Sequence, residues 1–168
     1  MATTLRKRLR QEEDGFSLIE LMVVVLIMGT LMAIAVPTYL NSSNKAKDKS
    51  VQSNLKTAME SAKTIAADNG GNFVSSGATA IVAADLTAAE PSMTFASSVG
   101  TSTTTVGVYT GAAGADITLV MKSNNTAAKY YAITAQANGA VKSCYAATEA
   151  AVNSYALCSA LTATSWTS

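Results

Sequence analysis

Glu20 stands alone among apolar residues in the stretch Phe16–Val36, FSLIELMVVVLIMGTLMAIAV, and Cys144 and Cys158 are the only two cysteines of the 168-residue chain. The acids further on, Asp85, Glu90, Asp116 and Glu149, are scattered, and there is no His at all. Without His, the usual acid–base group and zinc ligand of neutral pH is missing. No Gly-rich phosphate loop, nucleophile elbow or metal-ligand string occurs. A calcium site made of one or two of the scattered acids with backbone carbonyls is the one metal alternative. The sequence therefore reads as non-enzymatic, with no catalytic residue, no metal and no cofactor. What Glu20 offers is electrostatic. A carboxylate in an apolar helix costs about 2.5–3.5 kcal/mol at the centre of a bilayer and less near an end, so it calls for a cationic partner.

The stretch that carries Glu20 is 21 residues long, and roughly 20 apolar residues at about 1.5 Å each cross the ~30 Å hydrocarbon core of a bilayer. Ahead of it lie Arg6, Lys7, Arg8 and Arg10, then Glu12, Glu13, Asp14 and Gly15. No comparable basic cluster follows the span at once, so the positive-inside bias puts the N-terminus in the cytoplasm and everything after Val36 outside. An ordinary secretory signal is the alternative, because Ala33-Ile34-Ala35 offers a small-x-small cleavage site. The apolar run is longer than the usual core of about 7–15 residues, and Glu20 sits inside it; both weigh against that alternative.

The string Gly15-Phe16-Ser17-Leu18-Ile19-Glu20-Leu21, behind a short basic leader and ahead of a long apolar helix, resembles the class III leader and N-terminal segment of bacterial type IV pilins and pseudopilins. Gly29 and Pro37 stand where that family has a helix-weakening glycine and proline. The resemblance covers residues 1 to about 70 and beyond that is one of layout. It implies that a membrane-embedded prepilin peptidase cuts after Gly15, removes residues 1–15 and methylates the new amino terminus at Phe16. The amine of Phe16 and the carboxylate of Glu20 are then opposite charges in a low-dielectric place. In the family the carboxylate meets the amine of a neighbouring subunit during assembly; pairing within one chain at i, i+4 is the alternative. Gly29 and Pro37 each weaken a helix, and the resemblance implies that the stretch between them can extend when subunits pack.

After Pro37 the chain turns polar but keeps a helical period. Val51, Leu55, Ala58, Met59, Ala62, Ile65 and Ala66 fall on one face, opposite Lys49, Lys56, Glu60 and Lys63, and Asp68-Asn69-Gly70-Gly71 is a stop signal. The long helix is assigned to residues 16–71, with 16–36 as the transmembrane or filament-core part. Lys45, Lys47 and Lys49 read as a solvated face rather than a nucleic-acid site. Residues 72–102 read as a connection with a short helix capped by Thr79, packed through Ile81, Val82 and Leu86, and stopped by Pro91. From residue 103 the period becomes two. Val106 and Val108, then Ile117, Leu119 and Met121, then Tyr131, Ile133 and Ala135, then Val141 mark four strands. Asn138-Gly139 predicts a two-residue type I′ hairpin. The fold class is α+β, a long N-terminal helix packed on a small antiparallel sheet of about four strands, with residues 103–168 supplying the sheet and a C-terminal loop. That layout also resembles the pilin head.

Both cysteines fall in the exported part, where an even count favours a disulfide, two buried free thiols being the alternative. In many type IV pilins a disulfide bounds a C-terminal loop on the outer surface of the fibre, and the resemblance implies the same for Cys144 and Cys158. Trp166, just past them, reads as a core plug. Asn41-Ser42-Ser43 and Asn124-Asn125-Thr126 match the N-glycosylation pattern, a frequent accidental match.

Charged residues make up 14% of the chain and the formal net charge is +1, which argues against a nucleic-acid binder. The readings converge on a structural subunit, the major pilin of a type IV pilus. It would be homo-oligomeric in a helical filament and depend on the prepilin peptidase and pilus assembly machinery. Before assembly it would be a single-pass protein of the cytoplasmic membrane, and afterwards extracellular. Motility, attachment or DNA uptake would belong to the assembled machine. The alternatives are a minor pilin, a type II secretion pseudopilin, or a membrane-anchored or secreted monomeric binding module.

Overall fold

The computed structural model describes residues 15–75 and 79–161. Residues 1–14 of the leader expected over residues 1–15, and Trp166, lie outside the described residues. The chain divides into two compact units, Met1–Ser42 and Ser43–Ser168.

Helix α1, Leu18–Asp68, begins in the first unit. Its opening bond runs from the Leu21 amide to the Ser17 carbonyl at 3.2 Å. The helix continues through Gly29 and Pro37. Pro37 has no amide hydrogen, so the Ala33 carbonyl lacks its helical donor. Hydroxyls turn back onto the backbone beside both weak points: Thr30 donates to the Ile27 carbonyl at 2.8 Å and Thr38 to the Ile34 carbonyl at 3.1 Å. Every residue of α1 as far as Ser42 is exposed, the apolar ones included.

In the second unit α1 presents the face that the sequence pattern predicts. Val51, Leu55, Ala58, Met59, Ala62 and Ala66 are buried, and Ile65 packs beside them. The helix ends where Asn69-Gly70-Gly71 allows a left-handed turn: Gly70 and Gly71 have φ of 73° and 89°, and the Gly71 amide donates to the Ala66 carbonyl at 2.8 Å. That 6→1 bond is the Schellman closure, which only residues tolerant of positive φ make cheaply.

Five strands follow: β1 (Thr94–Ala96), β2 (Thr105–Thr110), β3 (Asp116–Lys122), β4 (Tyr130–Gln136) and β5 (Val141–Ala146), in the spatial order β1-β2-β3-β4-β5. β2 to β5 form the expected antiparallel meander. Val106, Ile117, Leu119, Met121, Tyr131, Ile133 and Ala135 point to the α1 face, alternating with residues of the other face.

Four details depart from the sequence reading. β1 is a fifth strand, parallel to β2, with Phe95 opposite Val106. The Asn138-Gly139 connection is a three-residue loop, since the Gln136 amide bonds the Ala140 carbonyl and the Gly139 amide bonds the Gln136 carbonyl. Gly139 alone is left-handed there, with φ of 88°, which makes a type I turn closed by a bulge rather than type I′. The short helix α2, Ala83–Ala89, starts from Val82 and not from Thr79: Asp85 accepts from the Val82 amide at 2.9 Å, and Val82 itself is exposed while Ile81 and Leu86 are buried. Finally, the second sheet face is also covered. Val99, Val120, Ala132, Cys144, Val152 and Cys158 form a separate core, to which the β1–β2 connection contributes Val99 and the C-terminal segment Val152 and Cys158. Gly107 permits this approach, because a Cβ there would lie 2.8 Å from Val99 Cγ2.

The two faces of α1 set unequal costs for substitution. Leu55→Ala, at a fully buried position of α1, lowers unfolding stability by about 2–5 kcal/mol. Ser53→Ala, on the exposed face, changes it by less than about 0.5 kcal/mol. Urea titration of the two variants in detergent checks the contrast.

Candidate functional site

The functional surface assembles from the start of α1. Gly15 and Phe16 precede the helix, and both are exposed. Glu20 falls in its first turn, where the partial positive charge of the helix N-terminus favours a carboxylate. Among the described residues its side chain makes no hydrogen bond or ion pair with the rest of the chain. Leu18 to Val36 presents Leu, Ile, Val and Met in every direction around the helix, and none of these side chains is covered by protein. By length and composition this stretch is able to cross a membrane. Its apolar surface is not a stripe facing a core but a cylinder, the pattern of a helix whose surroundings are apolar on all sides.

Cys144 on β5 and Cys158 on α3 (Tyr155–Ala160) are joined by a disulfide, with Cα atoms 5.5 Å apart. Both half-cystines are buried in the second core. The bridge closes the segment between them, and Ser154 caps α3 by accepting from the Leu157 amide at 3.2 Å.

Inside that closed segment, Glu149 performs a task the sequence did not reveal. Its carboxylate accepts from the amides of Val99 at 2.6 Å and Gly100 at 3.1 Å and from the hydroxyl of Tyr109. Burial pushes its pKa up, but the hydrogen bonds from Tyr109, Val99 and Gly100 outweigh burial and hold it below the ordinary value. Burial and the neighbouring Glu149 carboxylate push the Tyr109 phenol up in turn. Tyr130 adds a bond to the Gly100 carbonyl at 2.9 Å. One carboxylate thus ties the β1–β2 connection, the sheet and the cysteine-bounded segment together.

Asp48 makes a second tie. It sits between Lys47 and Lys49, yet accepts from Ser123 and from Asn125, the latter at 2.6 Å. Burial, with the Asp48 carboxylate next, raises the Tyr131 phenol. Among scattered acids and a lysine run, no spacing marked Glu149 or Asp48; the only available signal was that Glu149 falls between the two cysteines. Among the described residues no group of three or more His, Cys, Asp or Glu converges as a metal site would require.

The Prokaryotic N-terminal methylation motif matches residues 10–36. A segment of 53 residues, 32% of the chain, is 43% identical to the Type II secretion system core protein G of Klebsiella michiganensis and spans 37% of that protein. A segment of 57 residues, 34% of the chain, is 39% identical to the Type IV major pilin protein PilA of Myxococcus xanthus and spans 26% of it. The matches thus reach only about a third of the length of these curated relatives. No solved structure matches the chain.

Two outcomes follow from the ties. A carboxylate held below its unfolded value of 4.5 contributes stability above that pH and loses it as pH falls through the folded value. Glu149→Gln therefore lowers stability at neutral pH and makes the acid limb of the stability–pH curve shallower, measured by urea titration from pH 7 to 3. Reducing Cys144–Cys158 costs about 3 kcal/mol in the chain-entropy model, seen as a lower thermal midpoint with dithiothreitol.

Proposed function

We propose that this type IV pilin-like chain is a structural subunit of a type IV pilus, built to polymerise through the apolar part of α1. The observation that carries the reading is the uncovered apolar helix from Leu18 to Val36, directly behind Gly15-Phe16 and within the matched methylation motif. Such a surface is stable only in lipid or against other apolar helices.

In this reading a prepilin peptidase cuts between Gly15 and Phe16 and methylates Phe16. The chain waits in the cytoplasmic membrane with its N-terminus inside, and the pilus assembly machinery extracts it into an extracellular filament. There the Glu20 carboxylate meets the Phe16 amine of a neighbouring copy, which fixes register between helices that apolar contact alone would let slide. The stretch between Gly29 and Pro37 is where the helix extends. The head forms the coat, with the Cys144–Cys158 segment on its outside. The subunit is structural and non-catalytic, and motility, attachment or DNA uptake is the work of the filament.

The likeness to a secretion-system core protein supports a second reading, a pseudopilin of a shorter fibre. The cysteine-bounded segment favours the pilus.

Glu20→Val tests the assembly role. It leaves the Phe16 amine buried without its partner, and breaking a buried pair costs about 3–5 kcal/mol. That raises the concentration needed for growth by about two orders of magnitude or more. The expected result is wild-type export into the membrane with no filaments in the sheared fraction. The N-terminal residue and mass of sheared wild-type protein give the independent check: Phe16 with one added methyl fits the reading, and Val36 sinks it.

A further inference from the structure

We propose that the end of the Ser43–Ser168 unit at which α1 arrives is a docking surface for an anionic phospholipid bilayer. Asn44 donates to Thr126 at 3.4 Å, and Asp48 accepts from Ser123 and Asn125. These ties hold residues 44–49 of α1 against the β3–β4 connection. Five lysines lie at this end: Lys45, Lys47 and Lys49 on α1, all exposed, and Lys122 and Lys129 at the two ends of the connection. The ammonium of Lys122 lies 5.8 Å from the Tyr130 ring centroid and that of Lys129 4.9 Å from the Tyr145 centroid, so rings hold both cations in place at this end.

Two of the three carboxylates of this end face protein. Asp48 is turned into Ser123 and Asn125 and Glu149 into Tyr109, Val99 and Gly100; only Glu90, beyond the far edge strand β1, stays at the surface, where it accepts from the exposed Ser92. The lysines outnumber them and leave this end positive. Strand register puts Asp116 at the other end of β3 from Lys122, and bonds from Phe73 to Gly114 and from Ile81 to Phe73 bring the tail of α1 and the start of α2 there, with Asp68 and Asp85. The head is therefore polarised along its strands.

The positive end is the one that chain order places beside the span, Lys45 following Val36 by nine residues. The inference rests on the reading of residues 16–36 as a bilayer span. Once residues 1–15 are removed, these lysines are the basic cluster nearest the span. A juxtamembrane set of lysines is attracted by acidic headgroups within about one Debye length, ~8 Å at physiological salt. This contact would hold the head on the membrane surface until the subunit is extracted.

The test uses the full chain reconstituted at high dilution in vesicles of phosphatidylcholine alone or with phosphatidylglycerol, and a membrane-impermeant acetylating reagent read lysine by lysine by mass spectrometry. A surface potential of about −30 mV concentrates protons about three-fold, so amines in it hold about three-fold less of their reactive neutral form. Lys45, Lys47 and Lys49 are expected to label about three-fold more slowly or slower still in the anionic vesicles, with Lys122 and Lys129 moving the same way and high salt abolishing the difference. Lys63, paired with Glu60 at 3.1 Å, and Lys142 on β5 serve as references and stay unchanged. Equal labelling in both vesicles overturns the proposal. So does slowing that appears in neutral vesicles and grows with protein density, which would assign the lysine end to the acidic end of a second copy. Co-flotation with both vesicle types checks the span separately, and no step requires a filament.

Discussion

The rest of the chain depends on one constraint: the side chains from Leu18 to Val36 have nothing in their own molecule to pack against. Each Leu, Ile, Val or Met left in water forfeits about 1.5–3 kcal/mol. Summed over the segment, that exceeds the roughly 5–15 kcal/mol that holds a whole domain folded. No arrangement of the head could offset such exposure, so the segment must exchange water for lipid or for other copies of itself. A single carboxylate at position 20 is tolerable in either setting near the helix start, and in the second, on the proposed reading, it would meet the Phe16 amine of another copy. Apolar contact is non-directional. In the proposed filament, a lone charge pair in that contact would make one register better than the next.

The head solves a different problem with the same helix. Past Ser43, α1 has one apolar face and needs one sheet. The sheet in turn has two faces, and the meander alone leaves Thr118, Val120, Ala132, Thr134 and Cys144 uncovered. The hydroxyl of Thr118 meets that of Thr134 at 2.8 Å, and Thr134 bonds the Ile117 carbonyl at 3.0 Å, so these buried polar groups are satisfied within the sheet. The rest of the face is covered by segments with few apolar residues of their own. Such segments gain little from burial, which is why covalent and hydrogen-bonded ties fall there: the disulfide fixes one end of the cover, and Glu149 stitches the middle to the β1–β2 connection and to Tyr109.

Most of this was legible wherever a period was long enough to count. The face of α1 repeats over about four turns, and β2 to β5 each alternate through at least one full inward–outward cycle. β1 has three residues and one inward side chain, Phe95, among Ser and Thr, so no period could mark it. It pairs with the next strand in the chain but parallel to it, by way of a connection that lays Val99 over Gly107. Asn138-Gly139 identified a turn but not its length, because both hairpin types accept Gly in the left-handed position and differ only in whether Asn138 joins it there. Thr79 was a reasonable cap by residue type; Asp85, acting backwards from the third helical residue, serves the same amide ladder. Glu20 stood out because it interrupts an otherwise uniform apolar composition, whereas Gly15 and Phe16 were marked only by the resemblance of the string around them. Asp48 and Glu149 did not, because a carboxylate that binds backbone amides or neutral side chains leaves no complementary charge in the sequence to betray it.

The weak points of α1 gain meaning from the same solvent argument. In lipid an unpaired backbone group costs several kcal/mol, so a lone helix must remain helical through Gly29 and Pro37 despite propensity costs of about 1 and 3 kcal/mol. Continuity of α1 through both is what a single chain in a bilayer requires. Two hydroxyls already compete for carbonyls beside them, Thr30 at Ile27 and Thr38 at Ile34, so part of the helix ladder there is shared with side chains. Extension of this stretch then becomes a question of what replaces the lost bonds. Lipid replaces none, whereas neighbouring chains and water near the outer end of a filament core can replace some. On the proposed reading, the segment would be stable as a helix in the membrane and least costly to stretch once packed among other copies.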